Sequence, residues 1–588
     1  MRRFLLLLLW ASAGLAGETR YEIDLAQAAA HTLPVTVDAD CHSADCDFQM
    51  PVWNATYQIR DFAQFVSLFQ ATRASGEPLP HRMVTPSRWR VKASPGERVR
   101  VRYQYFADSP GPFGCSASNR HVFLNFAQVL LYPADGLREP MSVRFQNKPP
   151  AWKVALELPE RDGAFRARHY DELADAPSEL SAFAETAFSL AGKRVRLVVD
   201  GEREDYDLAR LEDTARKVAF TAAEIMQDVP FPAYTFIYHF RPDAGGGMEH
   251  ANSTAIEAKT GCRECSLASV TAHEFFHLWN VKRIRPHSLE PVDYTRENIT
   301  PSLWFSEGVT ATYGTYILLQ AGLEDRAAFL KRLEGDITRY ERHPARLMQS
   351  AEESSIAAWL ERYPYYDRPA RSVSYYLKGE LAGYLLDLTI RHSSANHRSL
   401  DDVMRRLNAN YAQKGKYFED TEAIERVASE AAGCNLKEFF DSVIRGTAPM
   451  EWGRYRGWAG YRLVSGVTKT PTLGIDTSLA TGGRQVVAAV EPGGSAEKAE
   501  LRPGDRILSF NGRRVDGNPD EALEALALQP GARVSVEVSR AGRTRTLQAV
   551  PDFVERSFYR IEEDPHGDAA ALAIRAAWLR APEGATKP

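Results

Sequence analysis

The stretch AHEFFHLW at residues 272–279 narrows what this chain can become more than any other. Two histidines stand four residues apart, a glutamate follows the first, and everything else in the stretch is apolar. At 3.6 residues per turn His273 and His277 share one helical face, with Glu274 beside them. A helix buried only for packing gains nothing from three polar groups that each cost desolvation unless paired. The spacing therefore predicts a metal-binding helix in which His273 and His277 hold a divalent ion. Glu274 then takes a proton from water as that water attacks a carbonyl.

A zinc site of this kind needs a third protein ligand. The metzincin arrangement requires Gly at 280 and His at 283, but the chain has Asn280 and Arg283. Thirty residues past His277, LWFSEGVTATYGTY places Glu307 in an apolar, helical-looking segment, where an unpaired acid is costly; a second helix crossing the first would bring it to the ion. Asp293 and Glu297 are weaker candidates because their surroundings are polar and loop-like. Upstream, RPDAGGGMEHANST supplies a glycine turn at Gly246 and Gly247, followed by Met248 and Glu249. Such a turn lets substrate approach the backbone, and the carboxylate offers a partner for a free α-ammonium group, although glycine turns before strands are also common.

At 588 residues the chain exceeds a single core, and three or four domains are expected. The net charge of -5 mixes both signs, which gives no reason to expect nucleic acid as a partner. Residues 1–17 combine Arg2 and Arg3, an apolar run from Phe4 and small residues near Gly14 and Ala16, so they read as a secretory signal. Export to a periplasmic or extracellular space follows, with no transmembrane segment after cleavage. Six cysteines suit an oxidising compartment. Cys262 and Cys265 read first as a structural disulfide or paired thiols, with redox and metal roles as alternatives, Cys41 and Cys46 are neighbours, and the connectivity stays open.

Residues 18–180 alternate apolar and polar in short runs, as in RVRVRYQYF at 98–106, and predict a β-rich domain of sandwich or open-barrel type, with further strands at 121–131, 141–147 and 152–158. Residues 181–455 pass from mixed α/β to helical, with helices expected at 207–227, 325–340, 374–392, 399–412 and 421–445 and Ser399 as a cap. A further unit spans 460–551 with short strands and a helix at 519–528, and a tail, 552–588, carries a helix near 567–580.

Together GGGMEHANST, HEFFHLWNVKRIRP, LWFSEG and SVSYYLKGELAGYLLDL, in this order and spacing, resemble the glycyl aminopeptidase family of gluzincin zinc metallopeptidases. The resemblance covers roughly residues 170–450. It implies a thermolysin-like catalytic domain and one Zn²⁺ per chain on His273, His277 and Glu307, with Glu274 as general base. It also implies peptide substrates with a free N-terminus and small first residues such as glycine or alanine. The Met248-Glu249 position corresponds to the exopeptidase motif, which in related aminopeptidases ends in asparagine, whereas His250 stands here. Tyr376 falls where related gluzincins keep a tyrosine that hydrogen-bonds the developing oxyanion, with Tyr375 one residue out of register. Residues 460–551 resemble a PDZ domain, an α+β fold, in which Leu473, Gly474 and Ile475 would offer backbone N–H groups and an apolar pocket to a C-terminal peptide. Two other readings stay open: a zinc endopeptidase, and a non-catalytic adaptor or chaperone that binds peptide through the PDZ unit.

Overall fold

In the computed structural model the described residues are 17–54, 57–242, 245–261, 267–360, 371–480, 484–515 and 518–581. Residues 1–16 of the signal-like segment, and Cys262 with Cys265, lie outside them. Strands β1 (Thr19–Asp24), β2 (Thr32–Asp40), β3 (Arg98–Phe106) and β4 (Met141–Gln146) occupy the middle of a seven-stranded mixed sheet. The alternation read in β3 is realised: Val99, Val101, Tyr103 and Tyr105 are buried. On the other face Arg98 and Arg100 lie opposite Asp40 and Asp38 of β2 and bond to them at 3.0 and 2.8 Å, which fixes the register. Sheets of four and five strands share one apolar core with this one. A Cys41–Cys46 disulfide lies between β2 and the next strand, Asp45–Gln49.

The run expected as a strand at 121–131 is shorter. It pairs only over His121–Leu124 and then makes a helical turn at Phe126–Val129. The reason is local: the Asn125 amide donates to the carbonyls of Pro112 and Gly114, at 3.1 and 2.6 Å, and diverts the chain.

The next layer is a five-stranded sheet, β5 (Ala184–Leu190), β6 (Lys193–Asp200), β7 (Ala233–Arg241), β8 (Gly247–Glu249) and β9 (Ser253–Lys259), in spatial order β5-β6-β7-β9-β8. Strands β6, β7 and β9 run parallel, while β8 is an antiparallel edge strand. Helix α1 (Leu208–Met226) connects β6 to β7, capped by the Asp207 side chain on the N–H groups of Ala209 and Arg210. Helices α2 (Ala268–Phe276), α3 (Thr310–Gln320), α4 (Tyr375–Ser393), α5 (Leu400–Asn410) and α6 (Asp420–Ala432) follow. Ser399 caps α5 in a capping box with Asp402, as the sequence suggests. The helix expected over 421–445 is broken: Gly433 turns left-handed at φ 71° and ends α6, and helical backbone resumes only at Lys437.

Residues 462–562, with 337–342, form a second compact unit. Its longer strands are β10 (Tyr461–Thr472), β11 (Ile475–Ala480), β12 (Arg484–Val490), β13 (Arg506–Phe510), β14 (Val534–Arg540), β15 (Arg543–Ala549) and β16 (Asp552–Glu563). The helix expected at 519–528 is shorter, α7 (Pro519–Glu524). The segment expected as a tail is structured from its first residue. Strand β16 pairs with β10, and α8 (Ala569–Trp578) belongs to the first compact unit, with helices α1 to α6, where Trp578 is buried against Phe329 and donates to the Tyr316 hydroxyl at 2.7 Å. Among the described residues no helix is long and apolar enough to cross a membrane.

Candidate active site

Helix α2 is fixed to the sheet by its apolar side. Phe275 stacks on Phe236 of β7, and Thr271 shares a 3.0 Å hydrogen bond with Tyr238. That anchoring turns His273 and His277 away from the sheet. His277 closes the helix, its N–H on the His273 carbonyl, and its Nδ1 meets the Asn280 carbonyl at 2.6 Å. A carbonyl can only accept, so Nδ1 carries a proton, and Nε2 is the ring nitrogen that faces the site. The Asn280 amide donates to the Phe305 carbonyl at 2.8 Å and to Thr310 Oγ1 at 3.1 Å, tying this turn to the segment that carries Glu307. In sequence, Asn280 serves only to exclude the metzincin arrangement; its tying role needs the fold.

Glu307 sits in a π-helical turn, Trp304–Val309, that runs into α3; the ordinary helix expected there is widened by one residue per turn. Two glycines let α4 cross this turn closely, because a Cβ on Gly308 would fall on the Gly379 backbone and a Cβ on Gly379 on the Trp304 carbonyl. Tyr376, nearly one helical turn before Gly379, thereby lines the same cavity, its ring 6.1 Å from that of His273. Tyr375 instead packs in a core with Val281 and Leu303.

The His273 and His277 Nε2 atoms are 3.0 Å apart, and Glu307 Oε2 lies 3.5 and 3.3 Å from them. Donors each about 2.0–2.1 Å from one ion in tetrahedral geometry are about 3.3 Å from one another, so these residues fit a zinc ion. Charge agrees with geometry. Donor atoms of Glu249, Glu274 and His277 also lie within 4.8 Å of one another, so three carboxyl groups crowd two imidazoles. Burial depresses the His277 imidazole, yet Glu307, with Glu249 and Glu274, outweighs it and lifts the group to about 10. Burial also opposes ionisation of Glu307, but His277 and His273 hold it well below the usual carboxylate range. Glu274 is pushed the other way: burial raises it well above that range, and Glu249 and Glu307 add to the effect. A divalent cation supplies the positive charge this cluster lacks.

A cavity of about 360 Å³ opens on the cluster, lined by Gly246, Gly247, Met248, Glu249 and Tyr376 and also by Trp53, Tyr57 and Tyr294. Gly247 makes room for Glu274, whose side chain occupies the space a Cβ would need. Asp293 is turned to Thr295 and Arg296 and, like Glu297, is not part of the metal-capable group of His273, His277 and Glu307. In the second unit Leu473 is buried in the core, the Gly474 N–H donates to Thr472 Oγ1 at 3.1 Å, and Ile475 opens β11.

Family profiles match this chain in three places: M61 glycyl aminopeptidase over residues 266–382, the peptidase M61 N-terminal domain over 20–182, and a PDZ domain over 486–540. The chain carries M61 glycyl aminopeptidase catalytic and N-terminal domains, with a PDZ domain after them. Every residue of the cluster from His273 to Tyr376 lies within the first match. The fold is shared with an aminopeptidase N family protein from Idiomarina loihiensis, at a TM-score of 0.80 and 24% identity, over 95% of this chain and all of that one. A Neisseria meningitidis protein bearing the name zinc metalloprotease is 37% identical over 71 residues, which is 12% of this chain and 16% of that protein. A DegP-like periplasmic serine endoprotease of Rhizobium meliloti is 32% identical over 112 residues, 19% of this chain and 20% of its own. The chain thus spans less than a quarter of the length of the curated relatives it matches.

Proposed function

We propose that this chain is an exported zinc aminopeptidase, with one ion per chain, that removes small N-terminal residues such as glycine or alanine from peptides. The observation that carries the reading is the close triangle of His273 Nε2, His277 Nε2 and Glu307 Oε2, with the carboxylates of Glu249 and Glu274 at its side. When bound, the ion supplies Lewis-acid polarisation of the scissile carbonyl and lowers the pKa of water. Glu274 accepts the proton that water sheds and passes it to the leaving amine. Glu249 pairs with the substrate's ammonium group, which places the first peptide bond, rather than an internal one, beside Glu274. The Tyr376 hydroxyl donates to the oxygen on which charge develops. Two features support export: the signal-like start and the match to a periplasmic relative. In the PDZ unit Leu473, Gly474 and Ile475 form the strand entry at which a C-terminal peptide would dock.

Metal analysis combined with turnover of a glycyl peptide and its N-acetylated twin tests the assignment. Zinc bound near one equivalent, with cleavage of the free peptide only, is expected. Equal cleavage of both peptides would make the chain an endopeptidase, and cleavage of neither by zinc-loaded protein would leave the PDZ adaptor reading. Glu274→Gln should keep its zinc and lose about 10²–10⁴ in kcat.

A further inference from the structure

Glu249 ends the edge strand β8 and is followed by His250, which raises the question of what holds Glu249 in place. The answer comes from outside the motif. Asp175 stands at the C-terminal end of a short helix, Tyr170–Ala174, in the N-terminal β-rich domain. Its Oδ2 accepts the Ala251 N–H at 2.9 Å, and its Oδ1 lies 3.2 Å from Nδ1 of the fully buried His250. One carboxylate thus binds both residues that follow Glu249. From the other side the Arg283 guanidinium donates to the Ala251 carbonyl at 2.8 Å, and β8 pairs Glu249 with Thr254.

Asp175 has a third partner. Lys282 Nζ donates to its Oδ1 at 2.6 Å, and Lys282, Asp175, Glu249 and Glu274 all line the one cavity. An ammonium on a four-carbon stem, released into a pocket whose carboxylates await a substrate ammonium, would bind those carboxylates itself. Burial alone would discourage charge on Asp175, but Lys282 and His250 hold it ionised, well below the usual carboxylate range.

We propose that Asp175 is a positioning residue of the amine-binding site: it anchors the chain that follows Glu249 and keeps the Lys282 ammonium off the carboxylate meant for the substrate. The N-terminal β-rich domain thereby completes the exopeptidase site. This rests on Glu249 being the amine anchor, which the acetylated-peptide comparison on wild-type protein decides independently.

The test is steady-state kinetics of the zinc-loaded full chain on a glycyl peptide. Asp175→Asn keeps an oxygen for the Ala251 N–H but frees Lys282, so KM rises about tenfold with kcat changed by less than about twofold. Adding Lys282→Met removes the competing cation and returns KM to within about threefold of wild type. An unchanged KM in Asp175→Asn, or a raised KM that Lys282→Met does not relieve, overturns the proposal. If the single variant does not fold, the double variant, which leaves no unpaired cation in the wall, decides alone by the same threefold criterion.

Discussion

At the residue scale the site depends on groups that orient ligands as much as on the ligands. The Asn280 carbonyl sets the His277 tautomer, and its amide joins the end of α2 to the π-helical turn bearing Glu307. Asn280→Ala keeps the carbonyl but cuts the tie, so zinc affinity should fall about 10–100-fold, as measured by competition with a chelator, while the fold stays intact by circular dichroism. A second buried carboxylate gives a pH prediction. Burial would raise Glu179, but hydrogen bonds from His121 and His239 lower it from the usual 4.5 to about 2. Because the folded value is the lower one, the stabilisation is complete above pH ~4.5 and is lost as pH falls through about 2. Glu179→Gln should cost about 3 kcal/mol at pH 7 and flatten the acid limb of a stability–pH profile. A variant whose acid limb matched wild type would refute this.

At the scale of elements, the close crossing of α4 over the π-helical turn aligns Tyr376 with the ligand triangle. It depends on hydrogen atoms at Gly308 and Gly379. Gly379→Ala would place a methyl group on the Trp304 carbonyl, forcing α4 outward, and should lower stability by about 1–3 kcal/mol, read as a drop in Tm. Since Tyr376 would move with the helix, kcat should fall more than KM changes. Apolar spacing made the existence of α1, α4 and α5 legible from sequence, and Ser399 fixed the start of α5. Two element ends were not legible. Gly433 breaks the 421–445 run because one left-handed residue ends a helix whatever the periodicity beyond it, and the diversion at Asn125 requires carbonyls eleven and thirteen residues away.

At the scale of the whole molecule the chain returns to its catalytic unit after the PDZ unit: β16 closes against β10, and α8 fills a place among the catalytic helices with Trp578. Truncation at residue 568 should therefore cost the catalytic unit stability, and Trp578→Ala alone about 3–5 kcal/mol. Thermal unfolding monitored through loss of activity checks this, and an unshifted Tm would show that α8 is dispensable. The helix with its two histidines, the candidate third ligand Glu307 and the β-rich start all carry local signals, because spacing or an uncompensated buried acid marks each within a few residues. What only the tertiary structure decided were relations between distant segments. It set the 3.3–3.5 Å approach of Glu307 to two imidazoles, chose Tyr376 over Tyr375 as the cavity wall, and brought Asp175 to the two residues that follow Glu249. Those relations arise from close packing of whole helices and sheets, whose mutual placement no single stretch of sequence encodes.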